Sequence, residues 1–483
     1  MRRKERAFKS LIFSLYFTFF FTLPVLADVS FTELLVDDNV YGTACLYASD
    51  LDGDGDLDLI GATKEDHDMV WWRNDGGNPI VWTKFIIDDA FIEALSVYSK
   101  DIDGDGDMDV IGAAASSQQI AWWRNEGGEP IQWTKQVLRN GYNWAHEVFA
   151  DDVDGDGDQD ILGVSSVLGL INLWSNEGGD PIQWTEYLIG DELTNAKSVC
   201  TSDLDNDGDK DIIGAILGNN DVLWWRNEGG DPIEWTEFTV DGNFAGSHRV
   251  QAIDIDNDGD DDILGAAYLG HEIAWWRNNG GDPLHWTKQT IVTYFLNACI
   301  AYGADLDGDG DIDVVGSAQA SNEVAWWRND GGDPIVWTEF IIDDEMTRVW
   351  PLHVNDLDND GDKDVIAGSG FRGINEVRWY RNDGITDVNH QDQITPQAHL
   401  LHSCYPNPFN SVTTIKFNLQ SDEDVKITVY NILGNKVETL LNKKLRAGDH
   451  SIQWNTESKM SGVYFYKIAA DNEELTGKMI LIK

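Results

Sequence analysis

Between residues 94 and 138 the apolar and polar positions fall into four short runs: ALSVYSK, MDVIGAAA, QIAWWRN and EPIQWTKQVL. Each is rich in Val, Ile, Trp or Thr and is bounded by Gly- or Asp-rich turn residues. None shows the three-and-four spacing of an amphipathic helix. The pattern predicts four short antiparallel strands joined by tight turns.

The same text returns along the chain. An acidic stretch D-x-D-x-D-G-x-x-D begins at Asp50, Asp101, Asp152, Asp203, Asp254, Asp305 and Asp356, always 51 residues after the last. A period of this length, with four strands in each repeat, predicts a β-propeller. The strand beginning Trp-Thr recurs at Trp82, Trp133, Trp184, Trp235, Trp286 and Trp337, but is missing after the last repeat. FTELLVDD, starting at Phe31, stands 51 residues before its counterpart WTKFIIDD at Trp82. The N-terminal strand is therefore expected to complete the last blade, which removes open sheet edges. The expected architecture is all-β: a seven-bladed propeller over residues 28–384, a linker over 385–400, and a small Ig-like β-sandwich over 401–483.

Within each repeat the aspartates sit at loop positions 1, 3, 5, 7 and 9. They are Asp50, Asp52, Asp54, Asp56 and Asp58 in the first blade, and Asp101, Asp103, Asp105, Asp107 and Asp109 in the second. The third has Asp152, Asp154, Asp156, Asp158 and Asp160; the fourth has Asp203, Asp205, Asp207, Asp209 and Asp211. Asp254, Asp256, Asp258, Asp260 and Asp262 follow in the fifth, with Asp305, Asp307, Asp309, Asp311 and Asp313 in the sixth. The seventh closes with Asp356, Asp358, Asp360, Asp362 and Asp364. Carboxylates this close repel one another and raise one another's pKa unless a cation sits among them. Hard oxygen donors in a flexible loop suit Ca²⁺, with position 7 also offering its backbone carbonyl. About seven structural calcium ions, one per blade, are expected. Position 12, where an EF-hand carries its bidentate Glu, is Gly in six repeats and Ala367 in the seventh, which excludes that motif. The loops resemble those of the FG-GAP/VCBS-type calcium-binding propeller repeats. That resemblance implies a loop between the first two strands of each blade and a calcium ion that is structural.

The chain has 34 Lys+Arg against 85 Asp+Glu, a formal charge of −51. Such acidity argues against nucleic acid and anionic membranes as partners. The N-terminus concentrates Arg2, Arg3, Lys4, Arg6 and Lys9 before LIFSLYFTFFFTLPVL and the small-residue site Val25-Leu26-Ala27. It reads as a signal peptide cleaved after Ala27, with no membrane-spanning segment beyond it. At the other end, YPNPFNSVTTIKFNL, VYNILGNKV, SGVYFYK and KMILIK together resemble a type A sorting domain of type IX secretion. The resemblance implies the outer-membrane secretion machinery as a partner, and a secreted or cell-surface location. Cys45, Cys200 and Cys299 occupy unmatched positions in different repeats, so they are expected to be free thiols rather than a disulfide framework.

The Trp pairs at 71–72, 122–123, 224–225, 275–276 and 326–327 are expected in the core, one ring facing each neighbouring blade. The Arg after each pair is expected to meet a carboxylate or backbone. The N-[DEN]-G-G turns are expected to be hairpin chemistry alone. Strand order places the acidic loops and these turns on one face, and the remaining loops on the other. The second face is where the repeats differ, and a specific ligand site is expected there. Six residues before the first Asp of each loop stand Ala44, Leu95, His146, Lys197, His248, Cys299 and Trp350. Asn143, Trp144, His146, Lys197, His248, Arg249 and Trp350 are the candidate ligand residues, with Phe244, Tyr294 and Arg348 in the same loops. Asp68, Glu272, Glu323 and Glu376 recur on the neighbouring loops, after His67, His271, Asn322 and Asn375. Aromatics with amides and charges suit a carbohydrate or a surface protein. The competing expectation is a calcium-dependent, lyase-like polysaccharide-degrading enzyme using His146 and Lys197 as base and acid.

Overall fold

The computed structural model describes residues 28–370, 375–386 and, with short gaps, 402–481. The expected signal peptide and most of the linker lie outside the described residues. Seven four-stranded antiparallel sheets follow one another, the first six each built from consecutive strands. The first blade comprises Thr43–Ser49, Asp58–Thr63, Met69–Asn74 and Trp82–Asp88. The seventh takes Val349–Asn355, Asp364–Ser369 and Val377–Thr386 from its own repeat, and its outer strand, Asp28–Asp37, from the N-terminus. Phe31 lies opposite Asn382 as Trp82 lies opposite Asn74, the register the repeat arithmetic requires. The first strands of successive blades touch one another in order, and that of the seventh touches Thr43–Ser49 of the first.

Burial is graded across each blade. The second strands, such as Asp58–Thr63 and Asp109–Ala114, are buried at every position, whereas the fourth strands alternate between partly buried and exposed. Neighbouring side chains on a strand point to opposite faces. Trp71 accordingly packs in a cluster with Trp123 of the second blade, while Trp72 joins Trp379 of the seventh. The Trp pairs are core, as expected, and each ring buries a large apolar area. The invariant Gly at loop position 12 follows from the same packing. A Cβ on Gly61 would stand 2.7 Å from the Trp72 ring, and one on Gly163 2.7 Å from Trp174. In the seventh blade Tyr380 replaces that Trp, and Ala367 is accommodated.

The C-terminal unit, residues 389–483, forms a three-stranded and a four-stranded antiparallel sheet. Val412–Leu419 pairs with His402–Tyr405 and Gly448–Asn455 in the smaller. In the larger, Glu423–Asn431 lies between Lys436–Leu445 and Gly462–Ala470, and Glu473–Leu481 forms an edge. Ile415, Phe417, Ile427, Val429, Trp454 and Ile468 fill one core between them, the expected sandwich.

One expectation is corrected. The first residue of each N-[DEN]-G-G turn does more than shape a hairpin. Asn125 is buried; its Oδ1 accepts the Gly127 N–H, and its Nδ2 donates to Met108 O and, across the blade interface, to Leu51 O. The same cross-blade bond runs from Asn176 to Ile102, Asn227 to Val153, Asn278 to Leu204, Asn329 to Ile255 and Asn382 to Leu306. Asn74 makes it to Leu357 O, joining the first blade to the seventh. Asn suits the turn because its short side chain places an acceptor and two donors among three backbone groups, whereas Gln carries the same groups one methylene farther out. Asn125→Ala would leave those groups unsatisfied in a dry interface. It is expected to lower the unfolding free energy by about 3 kcal/mol, read from the guanidinium chloride midpoint.

Candidate functional site

Each acidic loop is organised by its first and last aspartates. Asp50 Oδ1 accepts the N–H groups of Gly53 and Asp54 at 2.9 and 3.2 Å, and its Oδ2 accepts that of Gly55 at 3.0 Å. Asp58 is fully buried, with Oδ2 accepting the Leu51 N–H and Oδ1 that of Asn74. Position 4 (Gly53, Asn206, Asn257 and equivalents) and position 6 (Gly55, Gly106 and equivalents) both have positive φ, as the turn demands.

This folding brings the carboxylates of Asp50, Asp52 and Asp58 within 4.8 Å of one another. Corresponding groups form from Asp101, Asp103 and Asp109, from Asp152, Asp154 and Asp160, and from Asp254, Asp256 and Asp262; in the fourth blade the members are Asp203, Asp205 and Asp207. Asp101 Oδ1, Asp152 Oδ1, Asp203 Oδ1 and Asp358 Oδ1 are buried without a hydrogen-bond donor among the described residues. Burial, then the neighbouring carboxylates, push Asp52 above the usual range. Burial raises Asp58 and Asp109 to about 7 despite the backbone N–H groups that favour their charge. Converging oxygens of this kind fit a hard divalent cation. The position 7 side chains stand apart from these groups. Asp56 accepts from Asn359 of the seventh blade, Asp260 from Asn206 and Asp311 from Asn257, each bond joining adjacent loops. The Arg after the Trp pair meets carboxylates, as expected: Arg124 and Arg277 reach into their loops at Asp103 and Asp256 (2.7 Å each), whereas Arg73 pairs with Asp75 and Glu129.

At the opposite end a cavity of about 230 Å³ opens at the propeller axis, lined in part by Lys64, Trp144, His146, Lys197 and Trp350. Four of the expected ligand residues therefore meet. His248 lies just below, with its ring 6.3 Å from His146, 5.3 Å from Trp350 and 5.7 Å from Tyr268. Arg249 is deeper still and is committed to Glu147, which also accepts the Val199 N–H. This ion pair, from the fifth and third blades, crosses the axis beneath the cavity. Below it Tyr47, Tyr98, Phe149, Tyr302 and His353 line a second space of about 280 Å³. Asn143 is half-buried, and its carbonyl accepts from Ser165; its side chain does not line the cavity.

Trp144 is 38% exposed and holds φ at +58°, an uncommon backbone state for so bulky a residue. Its equivalents in other blades include Gly42, Asn195, Gly246 and Asn297, all also at positive φ. Burial and the nearby Lys197 push His146 well below its ordinary pKa and His248 down to about 3, so both imidazoles are neutral. Burial, then Lys64, push Lys197 down to about 8. Burial opposes the Arg249 charge, but Glu147 outweighs it and holds the guanidinium above its usual range.

Several other candidates are structural. Phe244 is fully buried against Trp276, so it belongs to the core rather than to an exposed loop surface. His67 Nδ1 accepts the Glu93 N–H, His271 Nδ1 that of Asn297, and Asn322 Oδ1 that of Arg348, each stitching one loop to the next. Glu272 pairs with Lys288, and Glu376 with Arg378. Sequence reasoning missed Lys64 and Tyr268. Both belong to one repeat column, with Ala115, Ser166, Leu217, Gln319 and Gly370, whose irregularity was the available signal. Cys45 is half-buried and Cys200 and Cys299 buried, all three as free thiols.

The secretion-system C-terminal sorting domain matches residues 403–483, which marks the protein as secreted or held at the cell surface and as a client of the type IX machinery. Among the described residues no helix is long and apolar enough to cross a membrane. Comparison with curated proteins found no match. Among solved structures, BBS1N in complex with ARL6DN is similar at 10% identity and a TM-score of 0.50, over 74% of this chain and 98% of that one. PorZ, a surface component of the type IX secretion system of Porphyromonas gingivalis, is similar at 13% identity and a TM-score of 0.45, over 92% of this chain and 60% of that one. A fungal alcohol oxidase of the AA5 family, in complex with copper, shares 10% identity and a TM-score of 0.49, over 95% and 100%. FG-GAP-like repeats match in six overlapping windows from 50–112 to 305–367, more than half of the chain, and the protein belongs to that repeat family.

Proposed function

We propose that the protein is a calcium-stabilised binding module that captures a carbohydrate at the axial cavity of its irregular face. The observation that carries the reading is Trp144. A large aromatic ring is left partly exposed, on a strained backbone, at the rim of a cavity that also holds Trp350, His146 and Lys197. The positive φ is shared by every blade at this position; what sets Trp144 apart is the large ring placed there. Exposed aromatic faces with a few polar groups between them suit the apolar and hydroxyl-bearing surfaces of a sugar. A surface protein is the second reading, favoured by apolar side chains exposed on neighbouring loops, notably Tyr294 at 85%, Leu269 and Leu296.

The acidic loops would serve this module as scaffold. In each, the aspartates at positions 1, 3 and 5 with the buried one at position 9 would hold Ca²⁺. The ion would offset the mutual repulsion of the carboxylates and supply no chemistry to the ligand. Unpartnered buried oxygens such as Asp101 Oδ1 and Asp152 Oδ1 support this assignment.

Two measurements test the reading. With calcium at a hundred times its dissociation constant, each site contributes about 2.7 kcal/mol. Removal by EDTA is therefore expected to lower the melting temperature by on the order of 10 °C or more, with recovery on adding CaCl₂. An unchanged melt would contradict the calcium assignment. On a glycan array the mature protein is expected to bind a restricted set of sugars, with about tenfold or greater loss for Trp144→Ala and His146→Ala. Turnover of the bound glycans, abolished by His146→Ala, would instead assign catalysis.

A further inference from the structure

The axial cavity is cationic in a chain whose formal charge is −51. Lys64, from the loop between the second and third strands of the first blade, and Lys197, from the start of the fourth blade, both line it. Among the described residues no Asp or Glu lines the cavity. The nearest buried acid on the axis, Glu147, is already neutralised by Arg249 below. Lys197 forms no ion pair among the described residues, and Lys64 is close enough to disfavour its charge. A largely buried ammonium without a counter-charge costs stability. Two ammonium groups brought together, against the bulk charge of the molecule, focus a positive potential on one small space.

We infer that the cavity receives the carboxylate of an acidic sugar, with the Lys64 and Lys197 ammonium groups converging on the anion and Trp144 and Trp350 flanking the sugar ring. This rests on the carbohydrate reading above and narrows it to uronate-bearing glycans. The volume of about 230 Å³ suits one sugar residue inserted from a longer chain rather than a buried oligomer. Lys64 Nζ lies 5.7 Å from the centre of the Trp144 ring, so the cation and the stacking surface are held together. His146 donates nothing to the charge: its imidazole is neutral and its Nδ1 is engaged with the Lys197 carbonyl. The neutral face leaves the two ammonium groups as the charge that reads the ligand. A bound carboxylate would in turn restore the full charge of Lys197.

The test uses the mature full-length protein in calcium-containing buffer and isothermal titration calorimetry. The probes are a panel of uronate oligomers, the same oligomers fully methyl-esterified, and a sulfated galactan. At least one uronate oligomer is expected to bind ten times or more tighter than its ester, which keeps the ring and loses only the charge. Lys197→Met and Lys64→Met are each expected to cost tenfold or more toward the acid and little toward the ester, with unchanged melting temperatures or, for Lys197→Met, a raised one. Affinity for the acid should decline above about pH 8, as Lys197 loses its proton; the other titratable groups facing it are Lys64 and the imidazoles of His146 and His248, both already neutral. Equal binding of acid and ester, or an unaffected Lys197→Met, would overturn the inference and leave the carbohydrate reading standing. Preference for the sulfated galactan over every uronate would also overturn it. Binding of a poly-glutamate peptide with no sugar bound would end both.

Discussion

A belt of side-chain hydrogen bonds around the acidic face ties the blades together. In each loop the buried aspartate at position 9 accepts the N–H of the apolar residue at position 2, as Asp58 does from Leu51. The carbonyl of that residue accepts from the Asn of the next blade, as Leu51 O does from Asn125. The N–H of that Asn returns to its own position 9 aspartate, Asp109, which holds Ile102, and the circuit continues. It ends where it began, at Leu357 O and Asn74. Every link is buried, so losing one leaves polar groups dry and unpaired, which costs more than the bond itself contributes.

This belt gives the aspartates two tasks. The position 9 carboxylate is both a belt member and a neighbour of the position 1 and 3 carboxylates, so the charge of the loop bears directly on the joint between blades. Burial, with a further push from the neighbouring carboxylates, raises Asp58 and its equivalents to about 7, a sign that the environment opposes their ionisation without further positive charge. Arg124 and Arg277 supply some in the second and fifth blades, where they reach Asp103 and Asp256. In the first, fourth, sixth and seventh blades the charge of Arg73, Arg226, Arg328 and Arg381 also favours ionisation of the position 3 aspartate, whereas Ser175 of the third blade offers a hydroxyl to Asp154.

The acidic face is committed to holding the ring, and the proposed binding site lies at the other end. There the repeat columns break: one runs Ala44, Leu95, His146, Lys197, His248, Cys299 and Trp350, a small residue, an aliphatic, imidazoles, a cation, a thiol and an indole. The Glu147–Arg249 pair crosses the axis below, between the axial cup and the second space beneath it. A rigid scaffold with a variable mouth lets single side chains set the chemistry of the cup without disturbing the blades.

Strand content, blade number and the crossing of the N-terminal strand to the last blade were legible in the sequence, because they follow from local alternation and a strict 51-residue period. The acidic loops were legible for the same reason: position and residue type within a short turn determine their geometry. Fate within the loops was harder to read. Phe244 and Tyr294 stand in the same class of loop, yet one is fully buried and the other 85% exposed, since packing against a neighbouring blade is a long-range event. The role of Asn74 and its equivalents was hidden for a like reason, their partners lying 74 or 76 residues away or at the far end of the repeat array. Only the ring geometry brings Lys64 of the first blade to Lys197 of the fourth. Sequence determined the repeating unit; which side chains share the axial cup was decided by the angle at which the blades meet around it.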